Sequence, residues 1–142
     1  MSTASDLEIV YKDLEKEHRR LMKLADRLRA HGTMIGLAQL LDELRTLLIV
    51  HFAREQLPDG FYDILGDSAE NRRDEIQVLI NDHGAILSAL NALLADAKTP
   101  DPDVEANVLD RLTQLVDQLH DHEHREHRFA VDILRERDGT QQ

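Results

Sequence analysis

The chain contains no cysteine. That absence excludes disulfides, cysteine-ligated zinc, thiol peroxidase chemistry and haem attached through a C-x-x-C-H motif. Positive charge is also scarce: 17 Lys and Arg face 28 Asp and Glu, for a formal charge of -11. Such a surface repels phosphate backbones and anionic lipid heads, so neither nucleic acid nor a membrane surface is expected as a partner. Aromatic residues are few and β-branched runs are rare, which argues against an all-β fold. With three prolines and six glycines in 142 residues, the sequence is not of the low-complexity kind and fits one globular domain over 1-142. No glycine-rich phosphate loop and no G-x-S-x-G elbow is present. The opening "MSTASDLEIVYKDLEKEHRR" has neither the basic and apolar plan of a secretory leader nor a spanning segment, so a cytoplasmic location is expected.

What the chain has is helical periodicity. Apolar positions at alternating steps of four and three run through Leu7, Tyr11, Leu14, His18, Leu21, Ala25 and Leu28, with Ser5 or Asp6 available as N-cap. After the break at "HGTMIG" a second seam takes Leu37, Leu41, Leu44, Leu48, His51 and Glu55, stopping before Pro58 and Gly60. "LPDGFYDILGDSAEN" carries turn residues without sustained periodicity and is expected to be a long connection. A third helix passes through Ile76, Leu79 or Ile80, His83, Ile86 or Leu87, Leu90, Leu94 and Ala97. "KTPDPD" ends it, and a fourth runs through Val104, Val108, Leu112, Leu115, Leu119, His122, Glu126, Phe129 and Ile133 before a tail, "DGTQQ", expected to fray. Short links within each pair and a longer one between pairs predict an all-α, antiparallel four-helix bundle with its core over about 7-137. The two helix hairpins look like a weak repeat: "EHRRLMKL" and "DHGAILSAL" each set an acid before a histidine, and "HFARE" and "HEHRE" follow one helix later.

Six polar residues occupy these core seams: His18, His51, Glu55, His83, His122 and Glu126. Burying charges without compensation costs at least several kcal/mol, so they are either exposed or compensated. Residues on neighbouring antiparallel helices lie level when the turn falls midway between them. The midpoints of His18 and His51, His51 and His83, and His83 and His122 all fall inside the three predicted breaks. The histidines therefore share a level, with each glutamate one turn, ~5 to 6 Å, along its own helix. A shared metal centre explains the convergence, and imidazole with carboxylate suits iron, manganese or zinc. The set overfills one tetrahedral zinc, but divides into two pairs of histidines with both carboxylates bridging two ions and an open position for a small molecule.

This ordered pattern, one histidine, H-x-x-x-E, one histidine, H-x-x-x-E over four helices, resembles the hemerythrin-like, HHE-type cation-binding domain. The resemblance implies a non-haem, carboxylate-bridged di-iron site that binds or reacts with dioxygen, hydrogen peroxide or nitric oxide, with zinc or manganese as alternative metals. The sequence departs from the oxygen-carrying hemerythrins, which have H-x-x-x-H on the third helix and H-x-x-x-x-D on the fourth; here those positions hold Leu87 and His127. The departure favours catalase-like, peroxidase-like or nitric oxide chemistry, or iron and oxygen sensing read by a protein partner, over oxygen carriage.

Two nearby patterns carry less. "HEHRE" is not the H-E-x-x-H of zinc proteases, since Glu126 stands where the second histidine belongs, and only Glu15 to His18 offers E-x-x-H as in ferritin-like sites. Within "HDHEHREH", His122 and Glu126 continue the seam, whereas His120 and His124 point about 200° away from His122 and His127 about 120° off the seam. Those three histidines are expected at the surface. Tyr11 and the leucines flanking the site, Leu14, Leu21, Leu48, Leu87 and Leu119, are expected to pack as core.

Overall fold

In the computed structural model, described for residues 4–31, 33–58, 60–68, 70–99 and 101–140, every regular element is a helix. Helix α1 spans Ala4–His31, α2 Leu37–Gln56, α3 Phe61–Ser68, α4 Arg73–Ala97 and α5 Pro102–Thr140, with a 3-10 turn at Glu70–Arg72 before α4. The four long helices form a bundle in which α1 packs on α2 and α5, and α4 on α2 and α5.

The seams read from the sequence are the buried faces. Tyr11, Leu14, His18, Leu21, Ala25 and Leu28 are buried on α1, and Leu37, Leu41, Leu44, Leu48, His51 and Glu55 on α2; the side chain of Leu7 lies outside the described residues. On α4 the pattern resolves to Ile76, Leu79, His83, Ile86 and Leu90, which leaves Ile80 and Leu87 half-buried. By length and composition the stretch Glu70–Ala97 could cross a membrane, but this buried stripe packs against α2 and α5.

Three local features differ from expectation. Helix α1 already contains Ser5 and Asp6, so neither is its N-cap. The tail continues α5 to Thr140, no proline following Pro102 to stop it, and 141–142 lie outside the described residues. The expected connection contains α3, which touches all four long helices and closes one end of the bundle. Eight residues are too few to show a period or to hold a helix alone; packing of Phe61, Tyr62, Ile64 and Leu65 does so. Gly60 permits the approach, since a Cβ there would lie 2.5 Å from the Arg54 carbonyl oxygen and 2.8 Å from that of Leu57. At the opposite end Asp101 caps α5, its Oδ1 accepting from the Asp103 N–H at 3.0 Å, and Pro102 takes the first helical position, where no N–H is needed.

The interior divides into two apolar clusters. One holds Leu21 to Leu28, Leu37 to Phe52, Ile86 to Leu94 and Val108 to Leu119 from the four long helices. The other gathers Tyr11 and Leu14, the α3 residues, Ile76 and Leu79, and Phe129 to Ile133. Three seam histidines fall between the clusters, His18 between Leu14 and Leu21, His83 between Leu79 and Ile86, and His122 between Leu119 and Phe129, whereas His51 is flanked by Leu48 and Phe52, both of the first cluster.

Candidate metal centre

All six polar seam residues meet in the layer between the two clusters. Glu55, His122 and Glu126 have no exposed surface, and His51, His83 and His18 have 1%, 3% and 8%. Their donor atoms form two groups, each within 4.8 Å: His18, His51, Glu123 and Glu126 in one, and Glu55, His83, His122 and Glu126 in the other. The histidines pair as His18 with His51, ring centroids 4.6 Å apart, and His83 with His122 at 4.9 Å. Both glutamates reach across the pairs. Glu126 lies 3.0 Å from His18 Nε2 through Oε1 and 3.4 Å from His122 Nε2 through Oε2. Glu55 lies 3.6 Å from His18, 3.5 Å from His51 and 3.3 Å from His83.

Two members were not legible as seam positions. Glu123 is 7% exposed, and its Oε2 is 2.9 Å from His18 Nε2. It sits about 100° round α5 from His122, off the seam but toward α1, and its i,i+3 spacing to Glu126 was the available signal. Tyr62 comes from α3: its hydroxyl donates to Glu126 Oε2 at 2.7 Å and lies 2.8 Å from His83 Nε2. Phe52 stacks on the His83 ring at 3.7 Å and 7°, fixing its plane.

The imidazoles are oriented from outside. Nδ1 of His122 is 3.1 Å from Asp82, Nδ1 of His83 is 2.6 Å from Gln56 Oε1, and Nδ1 of His51 is 3.5 Å from Glu17. Each turns Nε2 inward; the bonds to Asp82 and Gln56 fix the orientation of His122 and His83 and raise their basicity, whereas His51 Nδ1 has no hydrogen-bond partner and meets Glu17 only at ion-pair distance. Two of these contacts match. The acid preceding the α1 histidine, Glu17, faces His51 and is gripped by Arg54 at 2.5 Å; the acid preceding the α4 histidine, Asp82, faces His122 and is gripped by Arg125 at 2.8 Å. In both, the arginine is the fourth residue of H-x-x-R-E, so the paired sequence motifs meet across helices.

Burial and mutual charge set the protonation of the metal-free layer. His51 and His83 fall to about 3, first because burial disfavours their charge and then because His18 and His122, respectively, stand beside them. Burial also opposes charge on His18, but the close carboxylates of Glu123, Glu126 and Glu55 outweigh it and push its pKa up to about 12. Glu55 is raised by burial and by the adjacent Glu126, whereas burial of Glu126 is outweighed by its close contacts with Glu55, His122 and His18, which hold it low.

Even so, the layer is not satisfied. Nε2 of His18 and His122, both ring nitrogens of His51, both carboxylate oxygens of Glu55 and Glu123, and Oε1 of Glu126 are buried without a hydrogen bond of ordinary geometry. Each such atom costs about 1–3 kcal/mol. Nitrogen and oxygen lone pairs converging without partners fit a cation, and the absence of sulfur fits a first-row metal of intermediate hardness.

The family model described as the hemerythrin HHE cation-binding domain matches residues 9–132, a range that contains every residue of both groups. The chain belongs to this family. No curated protein and no solved structure matches significantly. As a hemerythrin-type domain it lacks the carrier-type residues at two positions, and neither substitute joins the groups: Leu87 packs against the leucine cluster, and the half-exposed His127 is hydrogen-bonded to the Tyr11 hydroxyl.

Proposed function

We propose that the chain binds two iron ions and uses them to bind or transform a small oxidant, dioxygen, hydrogen peroxide or nitric oxide, in the cytoplasm. The single observation that supports the two-ion reading best is the sharing of Glu126 between both donor groups. His18 and His51 with Glu123 would hold one ion, His83 and His122 the other, and Glu55 and Glu126 would lie between them. This reading takes the long helices as antiparallel and the two hairpins as a repeat, which accounts for the matched contacts Glu17 to His51 and Asp82 to His122.

When bound, the ions supply redox change and an open position for the oxidant. The chain supplies the rest. The two apolar clusters exclude water from the layer. Tyr62 holds Glu126 by its hydroxyl proton and so limits how far that carboxylate can turn. Phe52, Gln56 and Asp82 fix His83 and His122.

The test is consumption of hydrogen peroxide and nitric oxide, and reversible uptake of dioxygen, by iron-loaded protein against a zinc-loaded control. Reaction with at least one by the iron form alone is expected; reaction with none would sink the redox reading. A second reading, an iron or oxygen sensor read by a protein partner, is favoured by the unpaired donors, because they lie on α1, α2 and α5 and filling them would tighten the whole bundle. It predicts a large iron-dependent gain in protease resistance without turnover.

A further inference from the structure

His120, His124 and His127 have no place in the donor groups, yet they are not scattered. Spaced i, i+4 and i+7, they form one stripe along α5. With Glu15 of α1 this stripe lines a groove of about 360 Å³, whose floor is His18 and Glu123. Those two are the most exposed residues of the two donor groups, at 8% and 7%, whereas the other donors have 3% or less. The groove is thus where solvent comes nearest to the inward-facing donors.

Other approaches are poorly suited to a cation. The groove at Glu17, Arg20 and His51 reaches His51 from its outer, Nδ1 side, and Glu17 there is already neutralised by Arg54. The groove beside Phe129 is lined by Arg72, Arg125 and Arg128. The histidine groove has one arginine of its own, Arg19, whose charge Glu15 matches, and it differs in its donors: His124 makes no hydrogen bond or ion pair among the described residues, and His120 bonds only to the exposed Asp26.

We propose that this histidine groove captures divalent transition-metal ions from solution and passes them through His18 and Glu123 into the buried centre. The inference rests on the metal-binding reading above. Imidazole donors retain iron, cobalt, manganese or zinc but give magnesium and calcium little hold, so the groove filters as well as collects. His124 offers the first free imidazole, and Glu123, on the same face of α5, is the step from groove to centre.

The test is the rate at which full-length metal-free protein takes up cobalt(II), followed by its visible absorption, with the final ion count measured separately. The triple variant His120→Gln/His124→Gln/His127→Gln should load at least ~10-fold more slowly, the lower end of what a focusing cleft does to association rates. Its final ion count should equal that of the wild type, because every ligand remains. The double variant His120→Gln/His124→Gln, which keeps the Tyr11 bond to His127, guards against a folding defect and should slow loading in the same direction. Arg20→Gln, in the other groove, should not slow it. Wild-type loading rates in both histidine variants would overturn the groove while leaving the centre standing; failure of the wild type to bind cobalt would remove the centre and the groove together.

Discussion

The two halves of the interior are built on different terms. Toward the α1–α2 and α4–α5 turns, Leu28, Leu37, Leu41, Leu44, Leu90 and Leu112 interlock with almost no exposed surface and no polar neighbour in the cluster. Burying side chains of this kind contributes about 1.5–3 kcal/mol each relative to exposure. One layer further along, His18, His51, Glu55, His83, His122, Glu123 and Glu126 take the same kind of position with most of their inward atoms unpaired. The leucine half is complete as it stands, whereas the titratable layer is complete only with a cation, so folding and metal binding are carried by adjacent but separable parts of the bundle.

The largest effect should come from the leucine half and should not depend on metal. Leu44→Ala, at a site with no exposure, is expected to cost about 2–5 kcal/mol in chemical denaturation, equally with and without iron. A cost that changed with iron would blur the separation. Glu126→Gln is the converse: it should erase the iron-dependent gain, about 3–4 kcal/mol at free iron 100 to 1,000 times the dissociation constant, whereas the metal-free chain gives up only what the carboxylate's contacts with His18 and His122 contribute. A strongly destabilised metal-free variant would show that Glu126 is needed for the fold itself.

Smaller changes should come from the outer acids. Asp82→Asn, which removes the bond that orients His122, should weaken metal affinity about 10- to 100-fold in competition titrations with little change in melting of the metal-free form, and Glu17→Gln, whose contact with His51 is only an ion pair, should weaken it by less. A larger loss from Glu17→Gln than from Asp82→Asn would break that ordering. The mildest lever is pH. His18, pushed up to about 12, carries a proton in the metal-free fold at neutral pH that an incoming ion must displace, and burial shifts Glu55 toward holding its proton as well. Affinity should therefore fall as pH falls, about tenfold per unit for each proton displaced, with proton release measurable by calorimetry in two buffers.

The bundle faces were legible because alternating steps of four and three residues set a buried stripe wherever the side chains lie. His51 and Glu55 could be placed in the interior by Leu44 and Leu48 alone. What could not be read depends on contacts between helices that no period records. Tyr62 sits in a helix too short to announce itself and held by packing, and Glu123 lies off the seam, buried because α1 passes over it. The acid before each α1 and α4 histidine was visible in "EH" and "DH", but its partner lies on another long helix, α2 or α5, a distance only the fold supplies. The tract "HDHEHREH" shows both limits: His122 and Glu126 follow from the seam, while the groove beside them needed α1 in place.

The most direct measurement is the iron content of metal-free protein titrated anaerobically with iron(II), cleared of loose metal and analysed per chain, for the wild type and Glu126→Gln. Two irons per wild-type chain, with neither pair of histidines keeping its ion firmly once Glu126 is lost, is the result predicted. One iron or none in the wild type, or two undiminished in Glu126→Gln, would contradict a centre built on a shared carboxylate.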